Sequence, residues 1–261
     1  MSAHAEVYSA PRLYDLAFSY RDYDREARFL LERFRAERGR DPQRFLELGA
    51  GPARHAIAMA KAGLSAVALD LAPEMAAYGL AEAQKSGVEL EYQTADMIRF
   101  TLDAPVDLAA TMLCSATYIL EDEDFVQHLR AVAAALRPGG LYVIELPHPS
   151  ELDGRPKTKS TWTMNEPGGR LDVEWLDGEG SSAEAARRAP TVARLHYQPT
   201  SGQPILIESR APLRAFSRQE IADFVDRSGR FELVSVFGAL DPQISLEAEK
   251  AWRMVVTLAR R

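Results

Sequence analysis

One short segment of the chain combines a strand end, closely spaced glycines and an acid, a combination that can bind a ligand. The segment runs from Phe45 to His55 and contains Glu47, Gly49 and Gly51. Glycines let the backbone turn sharply and approach a ligand closely, and the start of the following helix offers free N–H groups to polar or negative atoms. A plain tight turn has the same pattern, so this segment alone leaves both interpretations open.

Two acids further along the chain favour a ligand that contains a nucleoside. Asp70 ends the second predicted strand, 19 residues after Gly51, where an acid can accept both hydroxyls of a ribose. Asp96 follows the third strand and precedes Met97, so its carboxylate suits the exocyclic amine of an adenine while Met97 packs on the ring. Because ligands bind at the carboxyl ends of strands in open α/β sheets, these residues are expected to meet there.

Arg54 and Glu47 bear on the rest of that ligand. The dinucleotide fingerprint needs a small residue three positions after its second glycine, and Arg54 occupies that position. Glu47 would repel a phosphate but could receive an ammonium group. These residues favour an adenosine with a cationic amino-acid tail, and an NAD-dependent oxidoreductase is the alternative enzyme class.

The elements that must position these residues alternate strand and helix through the first half of the chain. Apolar segments predict strands at 44–48, 64–69, 88–92, 106–113 and 141–146, and helices at 23–38, 52–63, 73–87 and 124–136. This alternation predicts right-handed crossovers and helices on both faces of a parallel sheet. Ser217 and Glu220 have capping-box spacing, and strands at 231–237 and 252–258 could return to the edge. The predicted fold is α/β, with a doubly wound, mostly parallel, seven-stranded sheet.

The pattern changes between residues 149 and 213. Four short strands between Gly-, Pro- and Ser-rich turns predict an inserted antiparallel β subdomain, with a disordered tip at Gly178–Pro190. The expected organisation is an N-terminal helical lid segment at 1–40, a cofactor domain made of 41–148 and 214–261, and the insert at 149–213. The insert could cover the mouth of the site, with Trp162 and Trp175 as aromatic walls, or form a homodimer by edge pairing.

Taken together, these motifs resemble those of class I S-adenosylmethionine-dependent methyltransferases that act on small molecules. The resemblance rests on Glu47–Pro52, Asp70, the Asp96-Met97 pair, and Leu136–Gly140 followed by Leu141–Glu145. Ala53 departs from the pattern, because many members have a third glycine there. The resemblance implies a Rossmann-like methyltransferase fold and S-adenosyl-L-methionine as the cofactor.

The resemblance also implies which residues surround the cofactor. They are Tyr14, Tyr23, Glu47, Gly49, Ala50, Gly51, Asp70, Leu71, Met75, Asp96, Met97, Met112 and Leu113. By resemblance, Asp70 takes the ribose hydroxyls, and Leu71 with Met75 flanks the adenine. Tyr14 and Tyr23 would cover the cofactor, although packing beneath the first helix explains both tyrosines equally well.

The reaction implied by this resemblance needs alignment more than it needs proton transfer. A sulfonium releases a neutral thioether, so a closed, dry pocket suffices, and a base is needed only if the acceptor must lose a proton. His148, after the fifth strand, is the candidate base, with an ordinary loop histidine as the alternative. Tyr118 is the candidate that orients the acceptor, with ordinary packing as the alternative.

The segment after the fourth strand narrows the acceptor and the metal requirement. It lacks the Asn/Asp-Pro-Pro-aromatic motif of members that methylate amides and nucleobases, and it lacks the acid of members that use a metal on catechols. The expected enzyme is therefore metal-independent, with a small metabolite or natural product as acceptor. The residues leave the acceptor atom open.

Composition bears on the compartment and the partners. The 261 residues carry a net charge of −7 and one cysteine, which excludes an internal disulfide and fits a reducing compartment. The chain has no basic surplus for nucleic acid, no apolar stretch long enough for a bilayer and no signal-peptide pattern. We expect a cytoplasmic enzyme without nucleic-acid or membrane partners. A non-catalytic protein that binds the cofactor for a partner is the remaining alternative.

Overall fold

Strands and helices alternate through the first half of the chain in the predicted order. The structure is a computed structural model, and it describes residues 5–152, 159–176 and 190–261. The strands there are β1 (Arg44–Leu48), β2 (Ser65–Asp70), β3 (Glu91–Thr94), β4 (Val106–Thr111) and β5 (Leu136–Pro147). The helices are α1 (Ala5–Tyr8), α2 (Pro11–Ala17), α3 (Tyr23–Arg38), α4 (Arg54–Lys61), α5 (Pro73–Lys85) and α6 (Asp122–Ala135).

The second half adds a separate sheet and returns to the first one. The separate sheet contains β6 (Lys159–Glu166), β7 (Gly169–Leu176), β8 (Pro190–Pro199) and β9 (Ile205–Pro212). The return consists of α7 (Arg218–Ser228), β10 (Phe231–Phe237) and β11 (Arg253–Arg260). Ser217 and Glu220 form the predicted capping box at the start of α7.

The main sheet has seven strands in the order β10-β11-β5-β4-β1-β2-β3. Only β11 is antiparallel to its neighbours, and the other adjacent pairs are parallel. Every residue of β4 is buried, as expected for a central strand that is covered by helices on both faces. The predicted doubly wound, mostly parallel sheet is confirmed, and it brings the ends of β1, β2 and β4 side by side.

Several predicted boundaries were wrong by a few residues, and three of them have a clear physical cause. α4 begins at Arg54 rather than at Pro52, because Ala53 has a φ of 57° and so cannot belong to the helix. β3 begins at Glu91 rather than at residue 88, in register with β2. β5 begins directly after α6, because Gly140 lets the chain pass close to β4: a Cβ there would lie 2.9 Å from the carbonyl oxygen of Asp107.

The inserted sheet packs against the N-terminal helices. It is antiparallel, in the order β6-β7-β8-β9, and it buries Leu171 and Leu195 against Leu13 and Ala17 of α2. Trp162 donates a hydrogen bond from its indole nitrogen to the carbonyl oxygen of Ala17 at 2.7 Å. The insert and the first two helices therefore form one layer. Apart from Pro190, the predicted tip at Gly178–Pro190 lies outside the described residues.

Candidate functional site

The loop between β1 and α4 forms one wall of a cavity at the carboxyl edge of the sheet. Gly49, Gly51 and Ala53 have φ angles of 60°, 51° and 57°, all in the left-handed region, where a residue with a side chain is strained. A Cβ at Gly49 would lie 2.8 Å from the Cβ of Ser115, in the turn after β4. Glycine is thus required at position 49 by both the backbone angle and the close approach of Ser115.

Asp70 holds this loop from the neighbouring strand. Its Oδ2 accepts a hydrogen bond from the N–H of Gly51 at 2.8 Å, and its Oδ1 accepts one from the N–H of Ala72 at 2.9 Å. Burial raises the pKa of Asp70, while these N–H groups act in the opposite direction by stabilising the carboxylate. Each oxygen keeps a further lone pair, so the fixed carboxylate can still accept hydroxyl groups.

The cavity brings together eight of the predicted residues. It is lined by Tyr14, Tyr23, Glu47, Gly49, Ala50, Gly51, Pro52, Arg54, His55, Met112, Leu113 and Ser115. Ser115 could have been found from its position after β4, whereas Arg54 and His55 were already marked by their place directly after the glycine loop. The ring of Tyr14, which belongs to α2, packs directly against this loop, since a Cβ at Gly51 would be 3.7 Å from it.

The residues predicted to hold an adenine lie around the ends of β2 and β3. Leu71 is 60% exposed, whereas Met75 is fully buried, with its sulfur 4.0 Å from the Cβ position of Gly51. Met75 therefore packs beneath the glycine loop, and Leu71 is the residue of the two whose apolar side chain is accessible to a ligand. Asp96 is exposed, and its Oδ1 accepts from the N–H of Ile98 at 2.8 Å. Contact of each of these residues with adenine stays a prediction.

A buried histidine that the sequence did not single out supports the adjacent Met97. The Nδ1 of His128 lies 2.8 Å from the carbonyl oxygen of Met97, and its Nε2 lies 2.7 Å from the hydroxyl of Tyr142. Burial lowers the pKa of His128 to about 4, so the ring is neutral at pH 7. Because a carbonyl only accepts, Nδ1 carries the proton and fixes the peptide of Met97.

Glu47 is paired within the protein. Its Oε1 lies 2.8 Å from Nδ1 of His55, and its Oε2 accepts from the N–H of Ala56 at 2.7 Å. The Nε2 of His55 lies 2.7 Å from Glu26. Burial alone would lower the pKa of His55, but the two carboxylates raise it to about 9. A direct ion pair between Glu47 and a cofactor ammonium would need one of these bonds to be released, and it stays a prediction.

The same pairing continues as a chain of alternating charges beneath the cavity. Arg21 pairs with Glu26 at 2.9 Å and with Glu145 at 3.0 Å, and Arg253 lies 3.3 Å from Glu145. Glu145 is fully buried, which opposes its charge, but the two arginines hold its pKa below the usual range. It also accepts from the N–H of Leu113 at 2.8 Å. With His55 protonated, three cations balance three carboxylates.

Tyr118, the predicted orienting residue, belongs to a group of tyrosines above Asp70. The hydroxyl of Tyr8 donates to the hydroxyl of Tyr118 at 2.7 Å, and the ring of Tyr8 lies 5.5 Å from that of Tyr14. Burial raises the pKa of Tyr118, so the hydroxyl keeps its proton at neutral pH. Tyr8 was missed because its α1 helix is 110 residues away in sequence. Contact between Tyr118 and an acceptor stays a prediction.

Both ring nitrogens of His148, the predicted base, have partners. Its Nε2 lies 2.9 Å from the carbonyl oxygen of Leu246, and its Nδ1 lies 2.8 Å from the hydroxyl of Ser150. Since the carbonyl can only accept, the proton is on Nε2 and the basic nitrogen is Nδ1. His148 could accept a proton only after Nδ1 leaves Ser150. The base assignment stays a prediction.

The backbone of the glycine loop suits a cationic or neutral ligand better than a pyrophosphate. The N–H groups of Gly51 and Ala56, which a phosphate would need, already donate to the carboxylates of Asp70 and Glu47. A dinucleotide would have to displace one carboxylate and lie beside the other. The geometry therefore counts against the NAD-dependent alternative.

Two features are absent from the part of the chain that the structure describes. Within residues 5–152, 159–176 and 190–261, no group of three or more His, Cys, Asp or Glu side chains is placed to hold a metal ion. In the same part of the chain, no helix combines the length and the apolar character needed to cross a membrane.

Comparison with known proteins agrees with this geometry. Residues 45–140 match the family model of the methyltransferase domain. A protein of Geobacillus sp. (strain WCH70), whose name gives methyltransferase as an inferred activity, is 23% identical over 140 residues. That match covers 54% of this chain and 57% of the relative, so the chain spans little more than half of that relative's length.

Solved structures extend the likeness to nearly the whole chain. An S-adenosylmethionine-dependent methyltransferase of Clostridium acetobutylicum has a TM-score of 0.76 at 15% identity, covering 95% of this chain and 96% of that one. A sugar N-methyltransferase of Streptoalloteichus sp. has a TM-score of 0.76 at 18% identity, with 95% and 92% covered. An amino pentose methyltransferase of Micromonospora echinaspora, solved with S-adenosylmethionine bound, has a TM-score of 0.69 at 19% identity, with 95% and 94% covered. The match to the methyltransferase-domain model over residues 45–140 and the shared fold make this chain similar to class I S-adenosylmethionine-dependent methyltransferases.

Proposed function

We propose that this chain transfers a methyl group from S-adenosylmethionine to a small-molecule acceptor, by direct displacement and without a metal ion. The observation that carries the proposal is Asp70, which is fixed by the N–H groups of Gly51 and Ala72 at the edge of the cavity. A carboxylate fixed in this way, with lone pairs to spare, suits the two hydroxyls of a ribose. The loop is also closely packed, because a Cβ built at Gly51 would lie 3.7 Å from the ring of Tyr14 and 4.0 Å from the sulfur of Met75.

The residues of the chain divide the work of binding and alignment. When bound, S-adenosylmethionine supplies an electrophilic methyl group on sulfur and a neutral thioether as leaving group. Asp70 holds the ribose, Leu71 and Met97 contact the adenine, and Tyr14 with Tyr23 excludes water from the methionine side. Exclusion of water matters because a dry cavity favours displacement by the acceptor over side reactions.

For the acceptor, we propose an amino group on a sugar or on a sugar-bearing natural product. The support is the likeness to an amino pentose methyltransferase and to a sugar N-methyltransferase. The hydroxyls of Tyr8 and Tyr118 suit hydroxyl groups of such an acceptor, since a phenol can both donate and accept. The amine would attack through its lone pair, forming a C–N bond as the C–S bond breaks. The surplus proton leaves afterwards, and His148 is the candidate to take it once Nδ1 is free.

Cofactor binding tests the first part of the proposal. Isothermal titration with S-adenosylhomocysteine should show binding to the wild type, and Asp70→Ala should weaken it at least about tenfold by removing the acceptor of two hydroxyls. Asp41→Ala is the matched control, because Asp41 lies before β1 at the opposite edge of the sheet and is exposed. A wild type that does not bind, or equal affinities for wild type and Asp70→Ala, would overturn the assignment.

An acceptor screen tests the second part. Radiolabelled methyl donor is offered with amino sugars and with the matching sugars that carry a hydroxyl in place of the amine. Methylation confined to the amino sugars is the expected result. Cofactor binding without turnover on any acceptor would instead favour a non-catalytic role beside a partner protein.

The remaining expectations accompany this proposal. We propose the division into a lid segment at 1–40, a cofactor domain at 41–148 and 214–261, and an insert at 149–213. Pairing of an edge strand of the insert, β6 or β9, is the proposed route to a homodimer, and sedimentation would detect it. The single cysteine supports a cytoplasmic location, which fractionation of cells would test.

A further inference from the structure

Arg54, which sequence reasoning treated only as an obstacle to a pyrophosphate, binds a buried carboxylate of α2. Its Nε donates to Oδ1 of Asp15 at 2.7 Å, and its terminal NH2 group donates to the other oxygen. The hydroxyl of Tyr78 donates to the same Oδ2 at 2.9 Å. Asp15 is buried, so the carboxylate gains strong charge-assisted bonds in place of water. We call Asp15, Arg54 and Tyr78 the α2 clasp.

The α2 clasp joins three elements around the cofactor cavity. Asp15 belongs to α2, Arg54 is the first residue of α4 after the glycine loop, and Tyr78 lies on α5. The residue before Asp15 is Tyr14, whose ring covers Gly51 and lines the cavity. A bond network centred one residue from Tyr14 therefore fixes where that ring lies.

The opposite side of α2 is attached to the insert. Leu13 and Ala17 are buried against the inserted sheet, and the carbonyl oxygen of Ala17 accepts from Trp162. Because of these contacts, α2 and the inserted sheet would move together as one layer. The α2 clasp is a polar contact that joins this layer to the cofactor domain. Glu82 also pairs with Arg54, at 3.1 Å, but this contact joins α5 to α4 and does not involve α2.

We propose that Asp15 is a positioning residue for cofactor retention: through Arg54 and Tyr78 it holds Tyr14 over the cofactor, and opening of the α2 clasp limits the rate at which the cofactor leaves. The inference rests on the proposed cofactor role of the cavity. Tyr14 is the group that touches the cofactor, and Asp15 acts through it. Among the described residues the hydroxyl of Tyr14 has no hydrogen-bond partner, which leaves it available to a ligand atom.

Binding kinetics of S-adenosylhomocysteine on the immobilised full chain test the inference. Asp15→Ala should raise the dissociation rate constant about tenfold or more, the effect expected when one partner of a hydrogen-bonded charge pair is removed. The association rate constant should not fall, because a loosened cover obstructs access less. A merely damaged site would instead lower the apparent association rate, through a smaller binding-competent fraction.

The other residues of the α2 clasp provide further variants, and the neighbouring Glu82 provides a control. Arg54→Ala should raise the dissociation rate to a similar extent, and the double variant Asp15→Ala/Arg54→Ala should be no faster than either single one, because both remove the same contact. Tyr78→Phe deletes one hydroxyl and should give a rise of a few-fold. Glu82→Gln is the control: it removes a charge beside Arg54 but no bond to α2, and its dissociation rate should match the wild type.

Three results would overturn the inference. They are a dissociation rate in Asp15→Ala equal to that of the wild type, multiplied effects in the double variant, and a Glu82→Gln variant as fast as Asp15→Ala. A wild type that does not bind S-adenosylhomocysteine would overturn the proposed function, and the inference with it. Normal binding by the wild type together with an unchanged Asp15→Ala would overturn the α2 clasp alone.

Discussion

The proton held by His55 is predicted to make the stability of this fold depend on pH. His55 is 1% exposed and lies between Glu47 and Glu26, at 2.8 and 2.7 Å. Burial disfavours its charge, but the two carboxylates outweigh burial and raise its pKa from 6.5 to about 9. A rise of that size corresponds to about 3 kcal/mol of folding free energy.

The sign of the effect follows from the direction of the shift. A pKa that is higher in the folded state gives a stabilisation that is fully present below about pH 6.5 and is lost as the pH rises through about 9. The wild type should therefore lose about 3 kcal/mol of unfolding free energy over this range beyond what other groups contribute. His55→Gln should be less stable at about pH 6.5 and should lack this component.

Urea unfolding at about pH 6.5 and about pH 9.5 measures the difference between wild type and His55→Gln. Comparing the two proteins cancels the groups that titrate equally in both. His196→Gln is the control, because His196 lies on the outer face of the inserted sheet, and it should retain the pH dependence of the wild type. A His55→Gln variant that loses as much stability between the two pH values as the wild type does would refute this role of His55.

Two further predictions concern the loop and the candidate base. Gly49→Ala should abolish S-adenosylhomocysteine binding in a titration, because its Cβ would meet Ser115 at 2.8 Å and its φ of 60° is left-handed; normal affinity would contradict the close approach. His148→Ala should leave that affinity unchanged and, if His148 is the base, should remove the fall in rate at low pH. A rate and pH profile equal to those of the wild type would remove His148 from the reaction.

The elements that carry the proposed cofactor residues were predictable because their signals are local. β1 and β2 are short apolar segments, and the helix that follows β2 begins with Pro73 as predicted. The strands of the insert were likewise predictable from alternation between turn-forming residues. Since Asp70 and the glycine loop sit at the ends of β1 and β2, predicting these two strands also predicted where the proposed ribose site lies.

The errors lie where pairing with a neighbouring strand outweighs local pattern. The apolar residues Val88 and Leu90 suggested an early start for β3, yet its polar residues 91–94 are the ones that pair with β2. β3 is an edge strand, so its own hydrophobicity matters less than the register of its partner. The Arg137–Gly140 segment has the composition of a turn, but it forms part of a strand. It can do so because Gly140 packs closely against the backbone of β4, which is distant in sequence.

The contacts that shape the site were beyond prediction because they join distant parts of the chain. Asp15 and Arg54 are 39 residues apart, and Tyr8 and Tyr118 are 110 apart. Neither pair has a spacing rule, since each depends on how the N-terminal helices lie over the sheet. The glycine loop could be recognised in the sequence, whereas the layer that covers it could only come from the fold.

The ion pair between Glu47 and His55 also changes how a cationic cofactor would be recognised. The position of Glu47 in the sequence suggested an ammonium-binding role, but His55 neutralises that carboxylate, and the wider chain of three acids and three cations has no net charge. Because this chain of charges beneath the cavity has no net charge, it attracts a sulfonium only weakly. The tyrosine rings at the cavity do offer some, because the face of an aromatic ring attracts a cation. We therefore expect Tyr14 and Tyr23, more than Glu47, to favour the charged cofactor over its neutral product.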